Sequence, residues 1–190
     1  MLASIVVLLT AFGCSTVFRL PPQNGESEEL YLLSYSTWGH HSVVFYRNNE
    51  LVEFTYGDWD LFALNKRDGW TAWKNMTFPT QGALGRKIVA WTFGSPICPL
   101  FKNCLRVKPF FAPASKASQL YDRLQAAYLG RKSTEVFNEA EQVYFVKYDV
   151  SYWGLNNCNH ELASWLEELG GDVSGRVFLN PDFIGGIVTL

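Results

Sequence analysis

The sequence is short of charge and shorter still of histidine. Charged residues make up 18% of the 190, the net charge is −2, and there are three histidines, His40, His41 and His160. No basic stripe runs through it, so nucleic acid is excluded as an expected partner. No apolar run reaches the roughly 20 residues that a bilayer-spanning helix needs. There is no Cys-x-x-Cys, and one thiol among Cys158, His160 and His41 makes a poor zinc set. We therefore expect no metal and no cofactor. Repeats, low-complexity tracts and regular βαβ alternation are absent as well.

What is present is an apolar, aromatic-rich chain, 48% hydrophobic and 16% aromatic. Its length suits one globular domain and is too short for two ordinary ones. Met1 to Gly13 carries no charged side chain, and the apolar run Ile5 to Leu9 is followed by Ala11-Phe12-Gly13-Cys14. Small residues before a cysteine resemble the lipobox of a bacterial lipoprotein signal. The segment lacks a basic n-region and has Ala where Leu is usual, three residues before the cysteine. The expectation is a signal peptide over residues 1–13, with Cys14 lipidated and residues 14–29, rich in Pro, Gly and Glu, as anchor and tether. A buried N-terminal strand is the alternative. The domain proper then covers residues 30–190.

Four cysteines remain to be apportioned: Cys14, Cys98, Cys104 and Cys158. If Cys14 carries lipid, Cys98 and Cys104 are close enough in sequence to close a short disulfide loop in an oxidising compartment. They stand equally well as free buried cysteines, since sequence does not fix Cβ geometry. Cys158 is the odd thiol either way.

Strands are expected over Leu30 to Tyr35, His41 to Tyr46 and Leu51 to Thr55, the last two joined by the polar turn Arg47-Asn48-Asn49-Glu50. Asp60 is a candidate cap for a helix through Leu61, Phe62 and Leu64. Lys87 to Phe93, Leu105 to Phe111 and Gln142 to Val150 also read as strands. Ser115 to Leu129 reads as a helix with Leu120, Leu124, Ala127 and Tyr128 on one face, capped by Ser115 or Ser118. Cys158 to Leu169 reads as another, with Leu162, Trp165, Leu166 and Leu169 as its stripe and Asn156 or Asn157 as its cap. The mixture is α+β.

A thiol attacks as thiolate, and a helix N-terminus or a nearby imidazolium favours that form. Cys158 opens a helix, where backbone N–H groups, its own included, also serve as oxyanion donors. His160 lies about 200° around the helix from it and is a poor base. His41 begins a strand, and a strand-borne imidazole facing a helix-borne thiol is the papain-like pairing. His40 would point to the opposite face, and either serves as the base, not both. Glu53, across the hairpin, is a candidate to orient His41; an exposed Glu on an edge strand is the plainer reading. Asp58 and Asp60 are a possible carboxylate pair, though two acids in a turn are more often solvated or capping. Trp38, Trp59, Trp70, Trp73 and Trp153 could line a groove for an acyl chain or sugar, or be core.

The run Asn157-Cys158-Asn159-His160 resembles the Asn-Cys-Glu-His nucleophile motif of the lecithin retinol acyltransferase family. That family belongs to the circularly permuted branch of the NlpC-type papain-like superfamily, in which the His strand precedes the Cys helix, as here. The segment from His41 to Glu53 resembles that family's strand-turn-strand, with Glu53 at a position usually held by His. Residues 52 to 60, Val-Glu-Phe-Thr-Tyr-Gly-Asp-Trp-Asp, also resemble bacterial proteins often encoded near urease genes. The resemblance implies a papain-like antiparallel sheet packed against helices, with Cys158 as nucleophile, His41 as base and Glu53 as its orienter. It implies a thiol hydrolase or acyltransferase acting on an amide or ester, in a cell-wall peptide or a lipid. Combined with the lipobox, this places the protein as a monomer on the periplasmic face of a bacterial cell envelope, held by its N-terminal lipid. The competing expectation is a non-catalytic envelope lipoprotein that uses the same fold as a binding module.

Overall fold

The computed structural model describes residues 16–19, 25–36, 40–174 and 183–185, and the expected signal peptide, Cys14 and Trp38 lie outside them. In chain order the elements are β1 (Thr16–Arg19), β2 (Ser27–Tyr35), β3 (His41–Arg47), β4 (Glu50–Asp58), α1 (Gly69–Thr77), β5 (Thr80–Ala90), β6 (Cys104–Pro113), α2 (Ala114–Gly130), β7 (Val136–Asn138), β8 (Val143–Tyr152), α3 (Cys158–Glu168), β9 (Asp172–Ser174) and β10 (Phe183–Gly185). Seven of the strands form one antiparallel sheet in the order β6-β2-β3-β4-β5-β8-β7, and β10-β1-β9 form a second, smaller one. The chain is thus α+β. Strand β2 begins at Ser27, inside the stretch read from sequence as tether.

The β3–β4 hairpin sets the register of the whole site. Asn48 and Asn49 both adopt positive φ, 52° and 65°. Asparagine tolerates that region, and two such residues make the tight turn that suits strand twist. Arg47 therefore pairs with Glu50, Val44 with Glu53, Val43 with Phe54 and Ser42 with Thr55. Alternation does the rest. Val43, Phe45, Val52, Phe54 and Tyr56 face one way, into a core shared with Leu120 and Leu124 of α2 and Leu162, Trp165 and Leu166 of α3. Val44 and Leu51 face the other way, packing with Tyr31, Leu33, Tyr35 and Trp91.

Two local expectations are corrected. Strand β4 runs on to Asp58, and a π-helical turn follows at Trp59–Ala63. Its cap is Asp58, which accepts from the Leu61 N–H at 2.8 Å, not Asp60. Helix α2 starts directly after Pro113 with no side-chain cap, so neither serine is needed there. Its buried face is Ala117, Leu120, Leu124 and Tyr128.

Candidate functional site

Cys158 is the first residue of α3, and its surroundings follow from how that helix starts. Asn157 is the N-cap and accepts from the Asn159 N–H at 3.0 Å. The His160 ring accepts in return from the Asn157 N–H at 3.3 Å, closing a capping box. That arrangement satisfies the donors a helix start leaves over. It also commits His160 to the helix terminus, away from proton transfer at the thiol.

Cys158 is the one free cysteine among the described residues and is 8% exposed. Burial pushes its thiol up to about 11. Three donors oppose that, the backbone N–H groups of Asn159 and Cys158 and the Tyr152 hydroxyl, each favouring the thiolate, and burial outweighs them. Tyr152 closes β8, and its own hydroxyl is driven upward by burial and by the charge of Cys158. Tyr56, raised chiefly by burial, also feels Cys158. Its ring lies 5.7 Å from that of Tyr152. The hairpin register, continued by one residue beyond Thr55, brings His41 opposite Tyr56. His41 is 2% exposed and shares the sheet face of Val43 and Phe45, the face on which α3 packs. Thiol, two tyrosines and imidazole thus belong to the helix-covered side of the sheet.

Glu53 does not. It stands opposite Val44, three positions from His41, and so projects from the other face. This corrects its placement as the orienter of His41: a two-residue turn makes His41 and Glu53 odd-numbered steps apart across the ladder. Glu53 is 1% exposed and accepts from the Tyr35 hydroxyl. Burial raises its carboxyl above the usual value, while Ser42, Tyr35 and Lys87 act to lower it. His40 lies on this same side. Its Nε2 meets the Thr55 hydroxyl, its ring stacks on Phe62 at 4.8 Å, and burial pushes it down to about 3. Tyr35, His40, Glu53, Thr55 and Phe62 line a small cavity of about 20 Å³. That is room for about one water and no larger group. Of the two adjacent histidines, sheet alternation puts His41 on the face of the thiol and His40 on the face of the buried carboxyl.

The remaining candidates resolve into structural work. Asp58 caps the π-turn and takes the Thr80 hydroxyl, and Asp60 pairs with Lys66 at 2.9 Å. Cys98 and Cys104 form a disulfide with Cα atoms 5.4 Å apart. Among the described residues no group of three or more His, Cys, Asp or Glu is placed to hold a metal. Trp70 and Trp73 are exposed on α1, and Trp59 and Trp153 are half-buried. Sequence reading missed Tyr56 and Tyr152. The signal was available, since Val146, Tyr148 and Tyr152 keep one parity along β8 and Val52, Phe54 and Tyr56 along β4. No family model matches the chain, and no curated protein or solved structure matches it.

Proposed function

We propose that the chain is a thiol hydrolase or acyltransferase of the permuted papain-like type, acting on an amide or ester in a cell-wall peptide or lipid at the bacterial envelope. One observation carries this reading: the one free thiol among the described residues opens a helix, with N–H groups and a tyrosine hydroxyl favouring its anion, on the sheet face that bears His41. Cys158 attacks the carbonyl carbon as His41 takes the thiol proton. The resulting oxyanion meets the N–H of Cys158 at the helix start. Collapse releases the amine or alcohol, protonated by His41, and leaves a thioester on Cys158. Water, or a second acceptor, then takes the acyl group. Glu53 has no part in this relay.

The buried, protonated thiol makes the reading sharply testable. A thiol of pKa about 11 is ionised to roughly one part in 100,000 at pH 6. Alkylation by a small reagent at pH 6 that matches or exceeds a reference thiol therefore needs a proton acceptor to overcome burial, and His41 is the imidazole on that sheet face. We expect that rate for the native chain, and a fall of about 100-fold or more in His41→Asn. Slow alkylation that His41→Asn leaves unchanged removes the enzyme reading. The burial of the thiol favours a second reading, a non-catalytic envelope module, which expects that slow and His41-independent outcome.

A further inference from the structure

Helix α1 is built inside out. The residues it buries are polar, Thr71 and Asn75. Beside Lys74 and Thr77 it shows to solvent Trp70, Trp73 and Met76, 68%, 49% and 52% exposed, and Phe78 at its C-terminal cap is 52% exposed. The Trp70 and Trp73 rings stack at 5.0 Å, and Phe78 meets Trp73 edge-on at 5.7 Å. An ordinary surface helix presents the reverse pattern, and a contiguous apolar patch of this kind marks a contact site. The patch is joined to the thiol: the Met76 carbonyl lies against Gly154, in the turn before Cys158, where Leu155 is also exposed.

We infer that this face docks on the interfacial layer of a zwitterionic phospholipid bilayer, with α1 lying along the surface. Three observations choose that occupant. First, tryptophans with a polar, charged surround are the side chains that settle at the level of lipid headgroups. Second, the surrounding charges are balanced. Asp60 holds Lys66 and Lys74, Arg67 is paired with Glu141, and Asp68 caps the helix. There is no surplus cation to select an anionic surface, so insertion rather than charge must drive binding. Third, five exposed side chains of this size offer roughly 600 Å², short of the ~800 Å² per partner that a stable protein interface buries. At nine residues α1 is far shorter than the roughly 20 that a spanning helix needs, so its contact lies along the surface. The docking stands whether or not Cys158 is a nucleophile.

The test uses the full chain carrying Cys14→Ser, so that no lipid is attached, with phosphatidylcholine vesicles. Partitioning onto the vesicles is expected to change less than twofold between 0.1 and 0.5 M NaCl, and to drop at least tenfold in Trp70→Ser/Trp73→Ser. Vesicles with brominated acyl chains separate this from binding through the N-terminal apolar run. The fluorescence lost in Trp70→Phe/Trp73→Phe, taken as a difference from the parent chain, is the part that the bromines are expected to quench. The inference is overturned if that difference signal is unquenched on vesicle-bound protein, or if the parent chain does not bind. Binding that requires anionic lipid overturns it too. So does a concentration-dependent dimer that the double serine substitution abolishes, which would assign the face to a second copy.

Discussion

His40 and His41 are neighbours in sequence, and the sheet sends them to different worlds. On the helix-covered face, His41 shares its side with a helix-start thiol and the tyrosines Tyr56 and Tyr152, in the core that α2 and α3 close. On the other face, His40 lies against Phe62 and Thr55, beside a carboxyl that Tyr35 holds. Both faces bury titratable groups, yet only one sets a free thiol at a helix N-terminus. The other leaves His40 Nδ1 and Glu53 Oε2 without a hydrogen-bond partner beside a cavity with room for about one water. The lesson is that a polar residue in a strand is assigned by parity before it is assigned by chemistry.

The comparison can be broken first through acid stability. His40 is pushed from 6.5 down to about 3, so it stabilises the fold above pH 6.5 and loses that contribution as the pH falls toward 3. By pH 4 the loss amounts to about 3 kcal/mol. Glu53 has the opposite sign. Its raised carboxyl stabilises the fold below about 4.5 and the contribution is lost as the pH rises through its folded value. Denaturant midpoints at pH 4, 5.5 and 7 are expected to fall less steeply toward acid in His40→Asn than in the native chain. In Glu53→Gln the decline toward higher pH is expected to flatten. If neither variant changes the pH slope, the far face does not hold two buried titrating groups.

A smaller effect is expected from the disulfide, which also belongs to the far face. Cys98 and Cys104 are six residues apart, and opening so short a loop costs about 2 kcal/mol. Cys98→Ser/Cys104→Ser is therefore expected to lower the denaturation midpoint and leave Cys158 alkylation unchanged. A change in that alkylation would show that the two faces are coupled. The smallest expected effect lies at the thiol itself. Losing the Tyr152 hydroxyl, one of the donors that favour the anion, should slow alkylation about threefold in Tyr152→Phe, roughly 0.6 kcal/mol. Glu53→Gln should not change that rate.

Much of the helix-covered face was legible in the sequence. The stripe Leu162, Trp165, Leu166 and Leu169, together with an Asn cap, marks α3 and the position of Cys158 at its start. The hairpin was legible too, and its register was present but unread: two asparagines between Arg47 and Glu50 fix the pairing, and counting from them sets Glu53 opposite Val44. Asp60 rather than Asp58 reads as the cap from sequence, because it is not visible there that Gly57 extends β4 to Asp58 with the Phe62 ring packed against it. Helix α1 was not legible, since periodicity finds helices by their apolar inner face and this one turns Thr71 and Asn75 inward.

The most direct measurement is the pH dependence of Cys158 alkylation by a small reagent between pH 5 and 11, in the native chain, His41→Asn and His40→Ala. The account expects a rate that is already substantial at pH 6 in the native chain and in His40→Ala. In His41→Asn the rate at pH 6 is expected to fall about 100-fold. Three superimposed profiles, each rising only near 11, would contradict it: Cys158 would then be a buried thiol that shares a sheet face with His41 and no chemistry.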